Sequence, residues 1–311
     1  MTAALPSRVG ELSPAQFRGR LRGTGLGIRI GPFAVWLQAR VRGLDEPLRR
    51  LYREYPLVEA GQVFSCHVAL RDVQRLRPRP GRYVRFAVDG RVPHEDLPAE
   101  QALAVFEWGL NLVIALRMHC FLMLHSAVLE RNGMALALPA APGHGKTTLC
   151  AALAARGWRL LSDEFGLVRP GTIGFLPVPR PMPLKNESIE VMQAFAPDLE
   201  LGPIIPGTRK GTVAHVRPLD DSVRRQHEAA PVRWVVFPEW QAGAVLSLQE
   251  VPPAEGFMRL ATNAFNYEML GAAGFETVRD MVNASRCFRL SYSDLNEAVA
   301  QLTSLADSDG G

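Results

Sequence analysis

The sequence predicts an α/β fold with a smaller α+β module at its N-terminal end. A strand, a glycine-rich loop, a helix and a second strand follow one another between residues 134 and 162. Before residue 98 the segments are short and strand-like, with one helix. The chain has 311 residues, 47% of them hydrophobic, which is enough to bury a substantial core. We expect a basic module at 1–98, a larger domain at 99–306 and a disordered tail at 307–311.

The N-terminal module is predicted from alternating and helical spacing. Residues 27–39, 64–70 and 82–88 favour strands, and 46–55 favour a helix. Asp89-Gly90 is typical of a hairpin turn. Residues 1–91 hold 17 arginines against 7 acidic residues, although the whole chain carries only +4. Such a face could contact an acidic peptide or nucleic acid, but a solvated face is the simpler interpretation, and we expect no nucleic-acid partner.

The larger domain is predicted to open with a buried apolar helix at 100–121. Strands at 122–130 and 134–138 are joined by Asn132-Gly133, which favours a tight turn. The remaining predicted elements are helix 148–156, strand 158–162, strands 232–237 and 244–248, helices 257–270 and 275–285, strand 288–292, and a helix at 294–305 capped by Ser293.

Location is inferred from what the sequence lacks. No apolar run has the length of a membrane span, and the start of the chain does not resemble a signal peptide. We therefore expect a cytoplasmic protein without membrane contact. The four cysteines are far apart and sit among apolar residues, so buried free thiols are expected (Cys66, Cys120, Cys150 and Cys287).

The glycine-rich loop has the chemistry of a phosphate-binding P-loop. Its glycines let consecutive backbone N–H groups wrap phosphates at a helix N-terminus, its lysine reaches the β- and γ-phosphates, and a hydroxyl contacts Mg²⁺. Ala140 stands where the usual first glycine would be. The predicted nucleotide-binding residues are Ala141, Pro142, Gly143, His144, Gly145, Lys146, Thr147 and Thr148.

Two acidic residues, Asp163 and Glu164, end the strand that follows the loop and its helix. A carboxylate beside a P-loop can bind Mg²⁺ while its neighbour takes the proton from an attacking hydroxyl. Thr147, Asp163 and Glu164 are therefore the predicted metal ligands. Adjacent residues of a strand point to opposite faces, which favours one acid acting directly.

Lysine is almost absent from this chain. Of 35 basic residues only Lys146, Lys185 and Lys210 are lysines. Arginine cannot replace a compact ammonium among phosphate oxygens, so the three remaining lysines are candidate functional residues. Lys185 with Arg180, and Lys210 with Arg209, could stabilise the charge of a transferring phosphoryl group.

Residues 120–170 resemble the HPr kinase/phosphorylase superfamily, especially its HPr-kinase-related kinase A branch. In that family a His opens the strand before the P-loop, a Gly follows in the turn, and an acidic pair ends the strand after the P-loop helix. His125, Gly133, Gly145-Lys146-Thr147 and Asp163-Glu164 match these positions. The likeness extends to 181–188 and 207–213, each of which contains a lysine. On its own, His125 would be interpreted as a core residue.

The resemblance implies a P-loop kinase domain of the HPr kinase/PEP carboxykinase-like type. It gives Glu164 the role of the base that deprotonates a substrate serine, Asp163 a metal or positioning role, and His125 the orientation of the acids. The glycine-rich signature linked to the reverse reaction is not found, so HPr is not carried over as substrate. HPr-type kinases are hexameric, so the resemblance leaves room for a homo-oligomer.

The leading hypothesis is an ATP- and Mg²⁺-dependent kinase acting on a Ser or Thr hydroxyl of a protein or peptide, such as a product of a neighbouring gene. Its predicted catalytic residues are Glu164, Asp163, His125, Lys185, Lys210 and Arg209. Two alternatives stay open: a small-molecule kinase, and a nucleotide-sensing module that binds ATP without turnover.

Overall fold

Three β-sheets with helices packed against them form the part of the protein that the computed structural model describes, residues 6–76, 80–141 and 143–308. This mixed architecture confirms the predicted α/β class. The Pro142 position of the P-loop lies outside the described residues.

The first sheet is built by the N-terminal module. Its strand order is β3-β1-β2-β4-β5-β6, and neighbours are antiparallel except for β2 and β4. Asp89 and Gly90 both have positive φ, 47° and 78°, as the predicted turn requires. The elements are α1 Pro14–Arg22, β1 Leu26–Ile30, β2 Phe33–Arg40, α2 Asp45–Leu51, β3 Leu57–Val58, β4 Cys66–Arg75, β5 Gly81–Val88 and β6 Leu97–Pro98, with short 3₁₀ helices at Val9–Glu11 and Ala99–Gln101.

Helix α3, Ala102–Arg117, packs on this first sheet and shares its core. Gly109 allows the close approach, because a methyl group there would lie only 2.2 Å from the Phe86 ring. Residues 99–117 are long and apolar enough for a membrane span, but 67% of that stretch is buried inside the protein. The helix is therefore a core helix. By packing it belongs with the N-terminal module, although the boundary near residue 98 stays a prediction.

The second sheet carries the predicted P-loop. Its order is β11-β10-β7-β8-β15-β17-β16, with β9 also paired to β7. Strands β8, β15 and β17 are mutually parallel. The elements are β7 Leu122–Arg131, β8 Met134–Pro139, α4 Lys146–Ala155, β9 Arg159–Ser162, β10 Phe165–Val168 and β11 Gly174–Leu176, and later in the chain β15 Ala230–Trp240, β16 Ser247–Glu250, α7 Pro253–Asn263, α8 Tyr267–Leu270, α9 Ala272–Asn283, β17 Arg286–Tyr292 and α10 Leu295–Ser308.

Helices cover both faces of the second sheet. On β15, Trp234 and Val236 pack with α4 and α10, while Val235 and Phe237 pack with α7 and α9. Because both faces are covered, residues 234–237 in the middle of the strand form a continuous apolar run rather than an alternating one.

A third, small sheet lies between the halves of the second in the sequence. Its order is β12-β14-β13, and both pairings are antiparallel. The elements are β12 Met182–Lys185, α5 Glu187–Phe195, β13 Ile205–Thr208, β14 Gly211–Val216 and α6 Asp220–Arg224. No strand or helix was expected from the sequence in this region.

Several expected boundaries were wrong. Helix α4 starts at Lys146 rather than residue 148, and the expected helix 257–270 is broken where Phe265 N–H donates to the Met123 carbonyl. Strand β16 covers 247–250 rather than 244–248. The side chain of Asp294, not Ser293, caps α10 by accepting from Glu297 N–H at 3.0 Å.

The expected tail and thiols also need correction. Helix α10 continues through residues 307 and 308, and Asp307 accepts hydrogen bonds from Arg131 at 2.6 and 2.9 Å. The rest of the expected tail, 309–311, lies outside the described residues. Three cysteines are buried as expected, but Cys120 is exposed.

Candidate active site

The P-loop connects the end of β8 to the start of α4. Gly143 and Gly145 have φ of 92° and 80°, a backbone region that glycine adopts without strain. Gly145 immediately precedes the helix, which begins at Lys146. The first amides of a helix have no intrahelical acceptor and lie at the positive end of its dipole, so this end of α4 can bind an anion.

The lysine of the loop reaches the acidic pair. Lys146 is only 7% exposed, and its ammonium donates to the backbone carbonyl of Asp163 at 2.6 Å. The structure therefore brings the predicted phosphate-binding lysine and the predicted acids together, although 17 residues separate them in the sequence.

Asp163 and Glu164 form the short connection between β9 and β10, both of which pair with β7. Ser162 fixes this connection, because its hydroxyl accepts from Phe165 N–H at 3.1 Å. The two acids differ in environment, as expected for neighbours in an extended chain: Asp163 is buried, whereas the Glu164 side chain is 35% exposed.

The Asp163 carboxyl is buried without a partner. Among the described residues neither of its oxygens has a hydrogen-bond partner. Burial raises the pKa of this carboxyl to about 6; Lys146 opposes the change and Glu164 adds to it. The nearby Thr147 hydroxyl also lowers the pKa. A buried, unpartnered carboxylate beside a hydroxyl is suited to bind a cation.

His125 lies beside the acids because β7 pairs with β10, with His125 opposite Phe165. Its Nε2 is 3.8 Å from Glu164 Oε1. Burial lowers the pKa of His125, the charge of Lys146 lowers it further, and Glu164 acts in the opposite direction. The imidazole is therefore neutral at pH 7 and can orient the Glu164 carboxylate.

The other two lysines come from the third sheet. Lys185 ends β12, and Lys210 lies in the turn between β13 and β14. Their charges act on the same groups as Lys146 does: all three lysines lower the pKa of His125. The pKa of Lys185 is itself lowered, first by desolvation and next by the charge of Lys210. The three lysines of the chain thus converge on one site.

Asn186 joins the two lysine-bearing segments. Its backbone φ is 50°, a region that strains residues other than glycine. The side-chain oxygen accepts from Thr212 N–H at 3.0 Å, and the backbone N–H donates to the Thr212 carbonyl at 2.9 Å. These two hydrogen bonds join Asn186, the residue after Lys185, to β14, the strand after Lys210.

A small cavity of about 30 Å³ lies between the acids and helix α3. Asp163 and Glu164 line one side, and Trp108 and Asn111 line the other. The Lys210 ammonium lies 5.7 Å from the centre of the Trp108 ring, a cation–π distance. The N-terminal module therefore supplies one wall of the site through α3.

Two arginines that the sequence placed with the lysines have other partners. Arg180 is buried and bonds to Glu107 at 2.7 Å and to Asn111 at 2.5 Å, which ties the P-loop domain to α3. Arg209 is exposed and forms an ion pair with Glu95. The Arg209 guanidinium is thus directed to Glu95, and its catalytic role stays a prediction.

The chain matches no family model and no curated protein. The resemblance to HPr-type kinases therefore stays a prediction, and the function has to be argued from the geometry. One residue of that resemblance, Gly133, lies in the turn between β7 and β8 with φ of 79°. The six residues of β8 separate it from the P-loop, about 20 Å of strand. The role of Gly133 is therefore to form this turn.

Sequence reasoning missed the aromatic residues around the site. Trp108 belongs to the apolar pattern that predicts a buried helix, and such a pattern does not show that Trp108 faces a cavity. Trp240 and Tyr292 flank the P-loop: a methyl group on Gly145 would lie 3.0 Å from Trp240 Cβ and 2.7 Å from the Tyr292 hydroxyl. The strand predicted from the sequence ends at residue 237, so the prediction gave no reason to expect Trp240 beside the loop.

Proposed function

We propose that the protein is an ATP- and Mg²⁺-dependent P-loop kinase that transfers the γ-phosphoryl group to a Ser or Thr hydroxyl of a protein or peptide. One observation carries the proposal. Lys146, at the start of a helix that follows a glycine-rich loop, touches Asp163, whose buried carboxyl has no partner among the described residues, and Glu164 beside it lines a cavity.

The phosphates would be held by this chain's cations and amides. The first amides of α4 and the Lys146 ammonium surround the place where β- and γ-phosphates would lie. Lys185 and Lys210, whose charges act on each other, would stabilise charge on the transferred group. Phosphoryl transfer needs little covalent help from a protein, so positioning and charge stabilisation supply most of the catalysis.

The residues present fit a magnesium ion. The described residues contain no cluster of three or more His, Cys, Asp or Glu side chains that could hold a metal by themselves. Mg²⁺ in phosphotransfer sites needs only one or two protein ligands, because phosphate and water oxygens complete its shell. Thr147 and the unpartnered oxygens of Asp163 would supply those ligands. When bound, the ion would neutralise negative charge on the phosphate oxygens.

The acceptor hydroxyl would be activated by Glu164. This side chain is partly exposed, lines the cavity and has His125 at 3.8 Å to orient it. A carboxylate in that place can accept the proton of an incoming hydroxyl as the oxygen attacks the phosphorus. The cavity admits that hydroxyl between the acids and Trp108, so the acceptor would contact both domains.

Ion pairs with acidic residues neutralise part of the positive charge of the N-terminal module. Arg18 and Arg22 bind Asp45 at 2.5 and 2.9 Å, and Arg75 and Arg85 bind Asp96 at 2.9 and 2.8 Å. These pairs agree with a solvated face. The proposed link between the module and acceptor binding is therefore the cavity wall that α3 supplies, rather than the net charge of the module.

The test is transfer of label from γ-labelled ATP to products of neighbouring genes, with the wild-type protein and Lys146→Ala. A labelled band that depends on Lys146 supports the proposal and names the acceptor. Transfer that survives Lys146→Ala overturns it. Label that appears only in a small molecule favours a small-molecule kinase, and tight ATP binding without any transfer favours a nucleotide-sensing module.

A further inference from the structure

Trp240 lies at the sheet edge where the P-loop starts. It is the last residue of β15, which runs parallel to β8 and to β17, and it pairs with Tyr292 at the end of β17. The carboxyl ends of the three strands therefore share one edge. In open α/β sheets ligands bind outside the carboxyl ends of the parallel strands.

Trp240 and the two acids lie on opposite sides of the loop. In the order β10-β7-β8-β15-β17, the acids precede β10, on one side of β8, and Trp240 ends β15 on the other. A nucleotide whose γ-phosphate points to Asp163 and Lys185 would extend its nucleoside toward Trp240. A methyl group on Gly145 would lie 3.0 Å from Trp240 Cβ and 3.7 Å from Cγ, the first ring atom, so this side chain starts directly beside the loop.

The indole of Trp240 is held in place but open to solvent. Its N–H donates to the Ser293 carbonyl at 3.2 Å, while 50% of the residue is exposed. Its neighbour Tyr292 is only 1% exposed and fills the core beneath the loop. A fixed aromatic ring with a free surface beside a phosphate site suits a flat aromatic group, and base–aromatic stacking is a common source of nucleotide affinity.

We propose that Trp240 stacks on the purine base of the nucleotide whose phosphates the P-loop holds. This inference rests on the proposed function only in requiring that a nucleoside triphosphate binds there. It adds a base subsite to a site whose other residues are proposed to serve the phosphates, the metal or the acceptor. Stacking accepts any base with a large π surface, so ATP and GTP are expected to bind with similar affinity.

The experiment compares ATP with inorganic tripolyphosphate, which has the phosphates but no base. Calorimetric titrations of the full chain in the presence of Mg²⁺ would use the wild type, Trp240→Ala, Trp240→Phe and, as a matched aromatic control, Phe275→Ala on α9, where Phe275 is 49% exposed. Trp240→Ala is expected to weaken ATP binding about ten-fold and to leave tripolyphosphate binding unchanged. Trp240→Phe keeps a ring and should retain most of the ATP affinity.

Other outcomes separate this inference from the proposed function. Equal loss of ATP and tripolyphosphate binding in Trp240→Ala, or no loss of either, overturns the base subsite, since the indole would then support the loop or do nothing. A wild type that binds neither ligand overturns both proposals. Base-dependent ATP binding without phosphoryl transfer to any acceptor supports the subsite and contradicts the kinase.

Discussion

His215 gives the structure a measurable dependence on pH. It lies on β14 opposite Pro183, is completely buried, and among the described residues neither ring nitrogen has a hydrogen-bond partner. Burial lowers its pKa from 6.5 to about 4; Glu107 opposes this change and Arg180 adds to it. The ring is therefore neutral in the folded protein at every pH at which the protein would normally be studied.

The sign of the effect follows from this lowered pKa. Below pH 6.5 the unfolded chain binds a proton on His215 that the folded protein does not, so folding stability falls as the pH falls and the loss is complete near pH 4. Between pH 7.5 and pH 5 the two pKa values correspond to a loss of about 2 kcal/mol from this one residue. That is a large fraction of the stability of an ordinary domain.

The assay is urea unfolding at pH 7.5 and pH 5 for the wild type, His215→Leu and His215→Gln. Both variants remove the titrating group, so their free energies of unfolding should fall by about 2 kcal/mol less than that of the wild type over this interval. The matched control is His227→Leu, because the His227 side chain is 76% exposed. If the two His215 variants lose as much stability as the wild type between these pH values, the reasoning from burial is wrong.

Three further substitutions test the site and its support. Asp163→Asn removes an unpartnered buried carboxylate, so it should raise the free energy of unfolding at pH 8 by about 1–3 kcal/mol in urea titrations. The same variant should lose phosphoryl transfer, and the exposed Asp198→Asn is the control. Glu164→Gln should lower kcat at least 100-fold and leave calorimetric ATP affinity unchanged, because the role proposed for Glu164 is to activate the acceptor. Gly109→Ala should lower the unfolding free energy by about 1–3 kcal/mol, since its methyl group would overlap the Phe86 ring.

Local turn chemistry predicted the hairpins well. Asn132 and Gly133 have φ of 54° and 79°, the pair of left-handed conformations that a two-residue hairpin turn needs. The same chemistry placed the Asp89-Gly90 turn. Each of these signals depends on neighbouring residues alone, so no knowledge of the tertiary structure was required.

The third sheet could not be predicted because its strands depend on distant partners. Strand β12 has four residues, including Pro183, and pairs with β14 about thirty residues later. Such short, proline-containing segments carry no periodicity that a sequence window can detect. The same limit explains Trp240, because the parallel pairing with Tyr292, rather than local propensity, extends β15 to that residue.

The scarcity of lysine singled out Lys185 and Lys210 in the sequence, and in the structure their charges act on one another and on His125. Burial lowers the pKa of Lys185 most, and the charges of Lys210 and Lys146 lower it further, whereas the two acids oppose the change. Like charges gathered in one place oppose folding unless a bound anion relieves the repulsion. The chain uses arginine for almost all of its surface ion pairs, yet its three lysines, at the start of α4, the end of β12 and the β13–β14 turn, all act on His125 beside the two acids. This arrangement favours a polyanionic ligand at that site. Phosphate groups that carry Mg²⁺ meet both requirements, because they neutralise the lysines while the metal ion satisfies the Asp163 carboxyl.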